Sequence, residues 1–528
     1  MRKKQRFLFQ ALLLTAVSLL LRAVGVGAQV YISSRIGPEA IGVSSLIGSV
    51  SGFAVTLALS GIHLGCTRLI SEGLGNNDTP FIHRTLLCAI GHALFFGILS
   101  CSILFSCSNI IGAYWLRDLR TIPSLRVLAL SLPAIALSSC FSGYFVAVRR
   151  VWKSACVQVC EEILRIVCTV LLLSRMASKG LENALLALAL ANAIADILSC
   201  AVMLLLFLAD RKKYFSCSMR SIRSVRITPI GRRLLSVTLP VATAAYARSG
   251  LITLEHMLIP IGLKRSGLDH SIALASYGTL HSMALPVILF PCALLSAFSG
   301  LLVPEMTEAH VRGQIKHIRS MMQKVFLLSL LFSIGTAGIM LCYSRELGLL
   351  LYGSEQAALY IRVLAPLIPI MYIDSATDAM LKGLGQQVYS MNVNIVDASL
   401  SVLLVWLLLP VFGIWGYVIT IYFTELLNAA LSIARLLTVA ELRPQLKKWV
   451  ISPLVAIIGA TCLTRSLFAF LPSHYLSHSS ITLTIQILIC CFLYGLFVIL
   501  LGSVRQTELR WLSGFLISET KTKKPTLT

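Results

Sequence analysis

The chain has 528 residues, of which 57% are hydrophobic and only 13% charged, with a formal net charge of +23. A soluble domain carries about 25% charged residues, so composition excludes a soluble fold and points to a membrane protein. The basic excess would suit nucleic acid, but no basic-aromatic groove or nucleic-acid motif accompanies it, and its position along the chain gives a better account.

Apolar runs of about 20 residues are long enough to cross a bilayer as helices. They predict fourteen spans, at 8–32, 40–62, 86–107, 124–147, 156–174, 184–208, 234–262, 272–302, 325–343, 357–381, 388–410, 414–438, 449–471 and 480–502. The expected fold class is an all-α membrane protein of about fourteen transmembrane helices. The opening "MRKKQRFLFQALLLTAVSLL" lacks a small-residue cleavage site and its apolar run continues too far for a signal peptide, so it is read as the first span. With both termini in the cytoplasm, 30 of the 45 Lys and Arg residues fall inside, 8 outside and 7 within spans. Eight lie in the single stretch from Arg211 to Arg233. This is the positive-inside asymmetry, and it also favours contact with anionic lipids. Residues 1–7, 209–233 and 503–528 are expected to be cytoplasmic, with 263–271 and 472–479 outside, in a multi-pass cell-membrane protein.

The chain shows no sign of being an enzyme. No loop is large enough for a catalytic domain, no HExxH or Walker A sequence occurs, and glycine pairs such as "GVGVGA" do not follow a soluble strand. Most of the fifteen cysteines, Cys88, Cys101, Cys168 and Cys490 among them, sit in apolar spans and read as small hydrophobes. No metal or organic cofactor is expected.

A phrase recurs. "LRVLALSLP" at 125–133 returns as "IRVLAPLIP" at 361–369, an offset of 236. At the same offset Ser108 matches Ser344, Gly112 matches Gly348, Pro133 matches Pro369, Ser154 matches Ser390, and Glu161 falls opposite Asp397. The shift covers six spans, an even number, so both copies have one orientation and form a parallel repeat. Transporters built this way hold substrate between two lobes near mid-membrane. The expected organisation is an N-terminal lobe at 1–208, a basic linker at 209–233, a C-terminal lobe at 234–440, two added spans within 441–502 and a tail at 503–528.

Three stretches carry a family resemblance. They are "SLLLRAVGVGAQVYISSRIGPEAIGV" leading into "LALSGIHLGCTRLISEG", "LRVLALSLPAIALSSCFSGYFVAVRR" followed by "VCEEILRIV", and "YGTLHSMALPVILFPCALLSAFSGLLVPEMTEA". Together they resemble the stage V sporulation protein B group of polysaccharide transporters. That group belongs to the multidrug/oligosaccharidyl-lipid/polysaccharide exporter superfamily, with the lipid II flippase and the multidrug and toxin extruders. The resemblance implies a flippase for an undecaprenyl-pyrophosphate-linked glycan, a polysaccharide or peptidoglycan precursor, with a drug/cation antiporter as the alternative. One departure stands out. In the lipid II flippase an arginine after the first-span R-x-x-G pattern helps hold the pyrophosphate; here the pattern is Arg22-Ala23-Val24-Gly25 and Ala28 occupies the later position.

Arg22, Arg126, Arg165, Arg248, Arg362 and Arg465 lie within the spans. A charge at the bilayer centre costs at least about 2.5–3.5 kcal/mol, so each needs a partner or a wet cavity. Arg126 and Arg362 start their helices and can mark the outer interface, Arg165 follows Glu161 by one helical turn, and Arg465 can snorkel. Arg22 and Arg248 sit deeper, in the first helix of each lobe, and are the candidate substrate-binding residues, since guanidinium groups suit a pyrophosphate. Without ATP chemistry the driver has to be an ion gradient or the membrane potential. Asn392, Asn394, Asp397, Thr424 and Glu425 offer oxygens for a coupling sodium ion or proton, although interhelical hydrogen bonding is an equal use for them. Asp374 and Asp378, four apart on one helix, add two like charges that require a cation or a proton.

Overall fold

In the computed structural model, residues 2–76, 78–214, 227–440, 447–469 and 480–502 are described, and among them every regular element is helical. The cytoplasmic tail expected at 503–528, the outer loop expected at 472–479 and the middle of the basic linker fall outside the described residues. Eleven helices are long and apolar enough to cross a membrane. The first of these, Leu20–Gly75, holds two of the expected spans. Two other expected spans lie in helices whose charges lower their hydropathy: α5, with Glu161, Glu162 and Arg165, and α7, with Arg248 and Glu255. The architecture is therefore consistent with about fourteen spans.

Helix α1, Arg2–Leu59, is continuous by hydrogen bonding but contains a non-helical residue, Gly37, at φ 79° and ψ 171°, followed by Pro38. At about 1.5 Å per residue a straight rod of 58 residues would far exceed a bilayer, so a break is needed. Glycine supplies the positive φ without a Cβ clash. Ser60 and Gly61, both at positive φ, end the second span before α2, Ile62–Gly75. Helix α3, Thr79–Ile110, starts on the Asp78 carboxylate, which accepts from the Phe81 amide, with Pro80 in the first turn. Helices α4, Ile122–Ala147, α5, Val151–Met176, and α6, Leu181–Tyr214, follow across short turns.

The second half runs through α7, Ile227–Arg265, and then a broken rod. That rod consists of α8, His270–Gly278, a π turn at Thr279–Ala284, α9, Leu285–Leu289, and α10, Cys292–Val311. Next come α11, Ile315–Cys342, the short α12, Ser344–Tyr352, α13, Glu355–Leu364, and α14, Ile368–Gly383. Helices α15, Gln387–Phe412, and α16, Ile414–Ala440, complete the repeat, and α17, Ser452–Ala469, and α18, Ser480–Leu500, are the additional pair.

The 236-residue offset survives in three dimensions, contact by contact. Helices α5 and α15 start and end at matching positions, and α4 and α14 end at matching residues, Ala147 and Gly383. Ser108 Oγ donates to the Phe105 carbonyl, and its mate Ser344 donates to that of Leu341. A Cβ on Gly112 would meet Ile122, and one on Gly348 would meet Ala358, again mates. Ser142 bonds Ser154 in the first copy, and Asp378 bonds Ser390 in the second.

By packing, the chain forms two compact units. One comprises Met1–Val26, Met283–Asp397 and Ile421–Thr528; the other comprises Gly27–Ser282 and Ala398–Thr420. The core of the first includes Met322, Val325, Leu381 and Leu436, with Phe326 stacked on Trp449. In the second, α4 packs against α2, α3 and α6, with Phe207 of α6 stacked on Phe141 of α4. None of the described cysteines is in a disulfide.

Candidate functional site

Within the first unit, three helices bring acids together inside the membrane. Asp374 comes from α14, Asp397 from α15 and Glu425 from α16, and Glu425 lies within electrostatic reach of the other two. All three are half-buried. Hydroxyl-to-backbone bonds fix these helices. Tyr372 donates to the Ile288 carbonyl at 2.6 Å, Tyr422 to Val363 at 2.6 Å and Tyr389 to Leu431 at 3.3 Å. Arg435 grips the Gln386 side chain at 2.8 Å and lies 5.2 Å from the centre of the Tyr389 ring.

The other candidate coupling residues are placed differently. Asp378 accepts from Lys382 Nζ at 2.5 Å and from Ser390, so its one-turn spacing from Asp374 brings in a lysine on the far side. Asn394 donates to the Ser390 carbonyl at 2.8 Å, and the buried Thr424 donates to that of Ile421 at 3.4 Å. Asn392 is exposed. Among the described residues, no three His, Cys, Asp or Glu side chains are arranged to hold a metal ion. Chemically, the Asp374–Asp397–Glu425 group is a patch of like charge that holds protons or attracts a cation.

Within the second unit a matching acid has another setting. Arg165 reaches Glu161 and Glu162 at 2.7 Å each and Asp196 at 3.3 Å. Ser199 donates to the second Glu161 oxygen at 2.6 Å. Arg165 and Asp196, with Ser51, Ser131 and Asn192, line a cavity of about 260 Å³. The Glu161–Arg165 pair follows from their four-residue spacing. Sequence reasoning missed the part played by Asp196, whose one signal was an acid in the otherwise apolar run of α6.

Arg22 and Arg248 are both exposed, and neither forms a salt bridge among the described residues. Arg22 is close enough to Tyr372 to act on it electrostatically. Arg248 sits between Tyr246 and Ser249, which bond the Leu57 carbonyl and Thr56 respectively, so the backbone that carries it is anchored while its side chain is exposed. The remaining arginines have structural uses. Arg126 donates to Ser108 and Asn109 and lies over Phe105, whereas Arg465 donates to the Cys342 carbonyl and lies over Tyr343.

A further polar contact in the second unit was not legible in the sequence. The second half of α1 runs along α7 and α8, joined by Ser45 to Ser282, Ser49 to His256 at 2.5 Å, and Thr253 to the Ser49 carbonyl at 3.1 Å. The approach is close because Gly42 faces Gly278: a Cβ on Gly42 would lie 2.1 Å from the Leu274 carbonyl oxygen.

Comparison with known proteins agrees with this architecture. The polysaccharide biosynthesis protein family matches residues 8–238, and the MatE family matches residues 262–407. Stage V sporulation protein B of Bacillus subtilis (strain 168) is 24% identical over 465 residues, covering 86% of this chain and 88% of its own length. The inward closed conformation of the lipid II flippase MurJ superposes with a TM-score of 0.67 at 13% identity, over 92% of this chain and 98% of that one. An inward-facing multidrug resistance MATE family transporter of the MOP superfamily gives a TM-score of 0.62 at 14% identity, over 80% and 96%. These relatives are transporters rather than enzymes. The chain is a multi-pass membrane protein and a homologue of stage V sporulation protein B, with the helical fold shared by MurJ and the MATE transporters.

Proposed function

We propose that the chain moves an undecaprenyl-pyrophosphate-linked glycan, a precursor of peptidoglycan or of another polysaccharide, across the cytoplasmic membrane. Two six-helix lobes, 1–208 and 234–440, alternate access to it, with both termini in the cytoplasm. An ion gradient or the membrane potential supplies the energy. Similarity to stage V sporulation protein B over 86% of the chain supports the substrate class. The observation that carries the reading is the pair of exposed guanidinium groups, Arg22 and Arg248, in the first helix of each half, without salt bridges among the described residues. Such groups are costly at membrane depth unless an anion answers them. A pyrophosphate is an anion suited to their planar donors.

Reconstitution in vesicles with a lipid-linked precursor tests this. Arg22→Ala and Arg248→Ala are each expected to weaken substrate binding about tenfold to a hundredfold, the loss of a charge-assisted contact of roughly 1.5–3 kcal/mol. Lysine should rescue only in part. Unchanged binding and flipping in both variants and in the double variant would remove these residues from the site. The fold likeness to a multidrug MATE transporter favours a second reading, a drug/cation antiporter. Efflux of cationic dyes by the same vesicles, with no flipping of lipid-linked glycan, would select it.

A further inference from the structure

A polar cluster in the second unit has no part in the reading above. Its members are Glu255 and His256 on α7, Tyr277 on α8, His281 in the π turn, Ser49 on α1 and Tyr417 at the start of α16. The two imidazole rings meet edge to face with centroids 4.4 Å apart. Tyr277 stacks on His281 at 5.2 Å, and both tyrosines are buried. Glu255 acts electrostatically on Tyr277 and on Tyr417, and Ser49 also faces Tyr277.

Hydrogen bonds tie His256 to α1. Ser49 Oγ donates to the Ser45 carbonyl at 3.0 Å and lies 2.5 Å from His256 Nδ1. The Ser49 hydroxyl is thus shared between the Ser45 carbonyl and His256, whose ring nitrogen donates or accepts according to its tautomer. Nδ1 of His281 is buried and makes no hydrogen bond among the described residues. A neutral imidazole keeps one lone-pair nitrogen in either tautomer, so the cluster offers proton-accepting nitrogens inside a span.

The backbone makes a second, independent point. His281 and Ser282 belong to the π turn Thr279–Ala284. Single π turns interrupt helical hydrogen bonding and are frequent at functional sites. This one lies where α8 meets Ser45 of α1 and His256 of α7.

Two charged imidazoles this close would repel strongly away from water, so the pair takes one proton at most. We infer that His256 and His281 together form a one-proton binding site, and that the proton bound there is the ion that drives transport. The proton adds to a ring nitrogen lone pair from one side of the membrane and leaves the same nitrogen toward the other; no other bond changes. The inference rests on the transporter reading for its purpose, though not for the existence of the site.

Two measurements separate these. In lipid nanodiscs with ¹⁵N-labelled histidines, the signals assigned through His256→Asn and His281→Asn should titrate together as one proton. Glu255→Gln should move that midpoint by about one pH unit or more. Two independent titrations, or none, would overturn the site. In vesicles at clamped membrane potential, His281→Asn should lower pH-gradient-driven flipping of lipid-linked precursor at least about tenfold, with precursor binding retained. Flipping that keeps its full dependence on the pH gradient in His256→Asn and His281→Asn would also overturn it. A coupled titration without flipping of any precursor by the wild-type chain would leave the site standing and refute the transporter reading instead.

Discussion

Glu161 and Asp397 are mates in the repeat, on helices whose ends match at an offset of 236, yet their surroundings differ. In the first copy three carboxylates gather around Arg165, and a serine bonds one of them. In the second copy Asp397 lies with Asp374 and Glu425, and the position corresponding to Arg165 is Ser401. A duplicated scaffold has thus kept an acid at one place and changed what answers its charge. The first arrangement is held shut by its own cation and suits a structural role. The second sets three acids within electrostatic reach of one another, with a serine where the first copy has its arginine.

The largest expected effect comes from removing the cation of the first cluster. Arg165→Met should destabilise the protein by roughly 2–3 kcal/mol, less than the 3–5 kcal/mol for a fully buried pair because these side chains are partly exposed. Thermal unfolding in detergent would register it, and Glu161→Gln in the same chain should restore part of the loss. No change in melting temperature would show that the network contributes nothing to folding.

Next in size is a functional contrast between the mates. Asp397→Asn should fold normally and lower gradient-driven transport by about tenfold or more, while Glu161→Gln at equal protein level should affect transport less. The reverse order would show that the first-copy acid matters more to transport than its mate.

The smallest effect sharpens the boundary of the second cluster. Lys382→Ala removes a partly exposed pair with Asp378, worth about 0.2–1 kcal/mol, and should barely shift the melting temperature or the rate. A loss of transport as large as that of Asp397→Asn would bring Asp378 into the coupling group.

Sequence-local features were legible. Apolar run length gave the spans, and an in-phase match of arginine, proline and serine gave a repeat whose helix ends then coincided. The Glu161–Arg165 pair followed because four residues make one turn of helix. The same spacing rule placed Asp374 beside Asp378, but it could not show that Lys382, one turn further on, and Ser390 of the next helix would take Asp378. Arg22 and Arg248 stand out as charges in apolar runs; that both are exposed is a matter of helix rotation, which packing sets.

What the sequence by itself determined was the class of molecule, the order and approximate ends of its helices, its duplication and its kinship. Each depends on hydrophobicity and spacing along the chain, which a bilayer reads one helix at a time. Only the tertiary structure decided which charges meet. Asp196 joins Arg165 from 31 residues away, and His256 finds Ser49 from 207 residues away. Such contacts depend on which faces of separate helices pack together, and in lipid that is set by small residues such as Gly42 and Gly278 at close approach. Periodicity along one helix carries no information about its neighbour's rotation, so the chemistry inside the membrane appeared only once the helices were assembled.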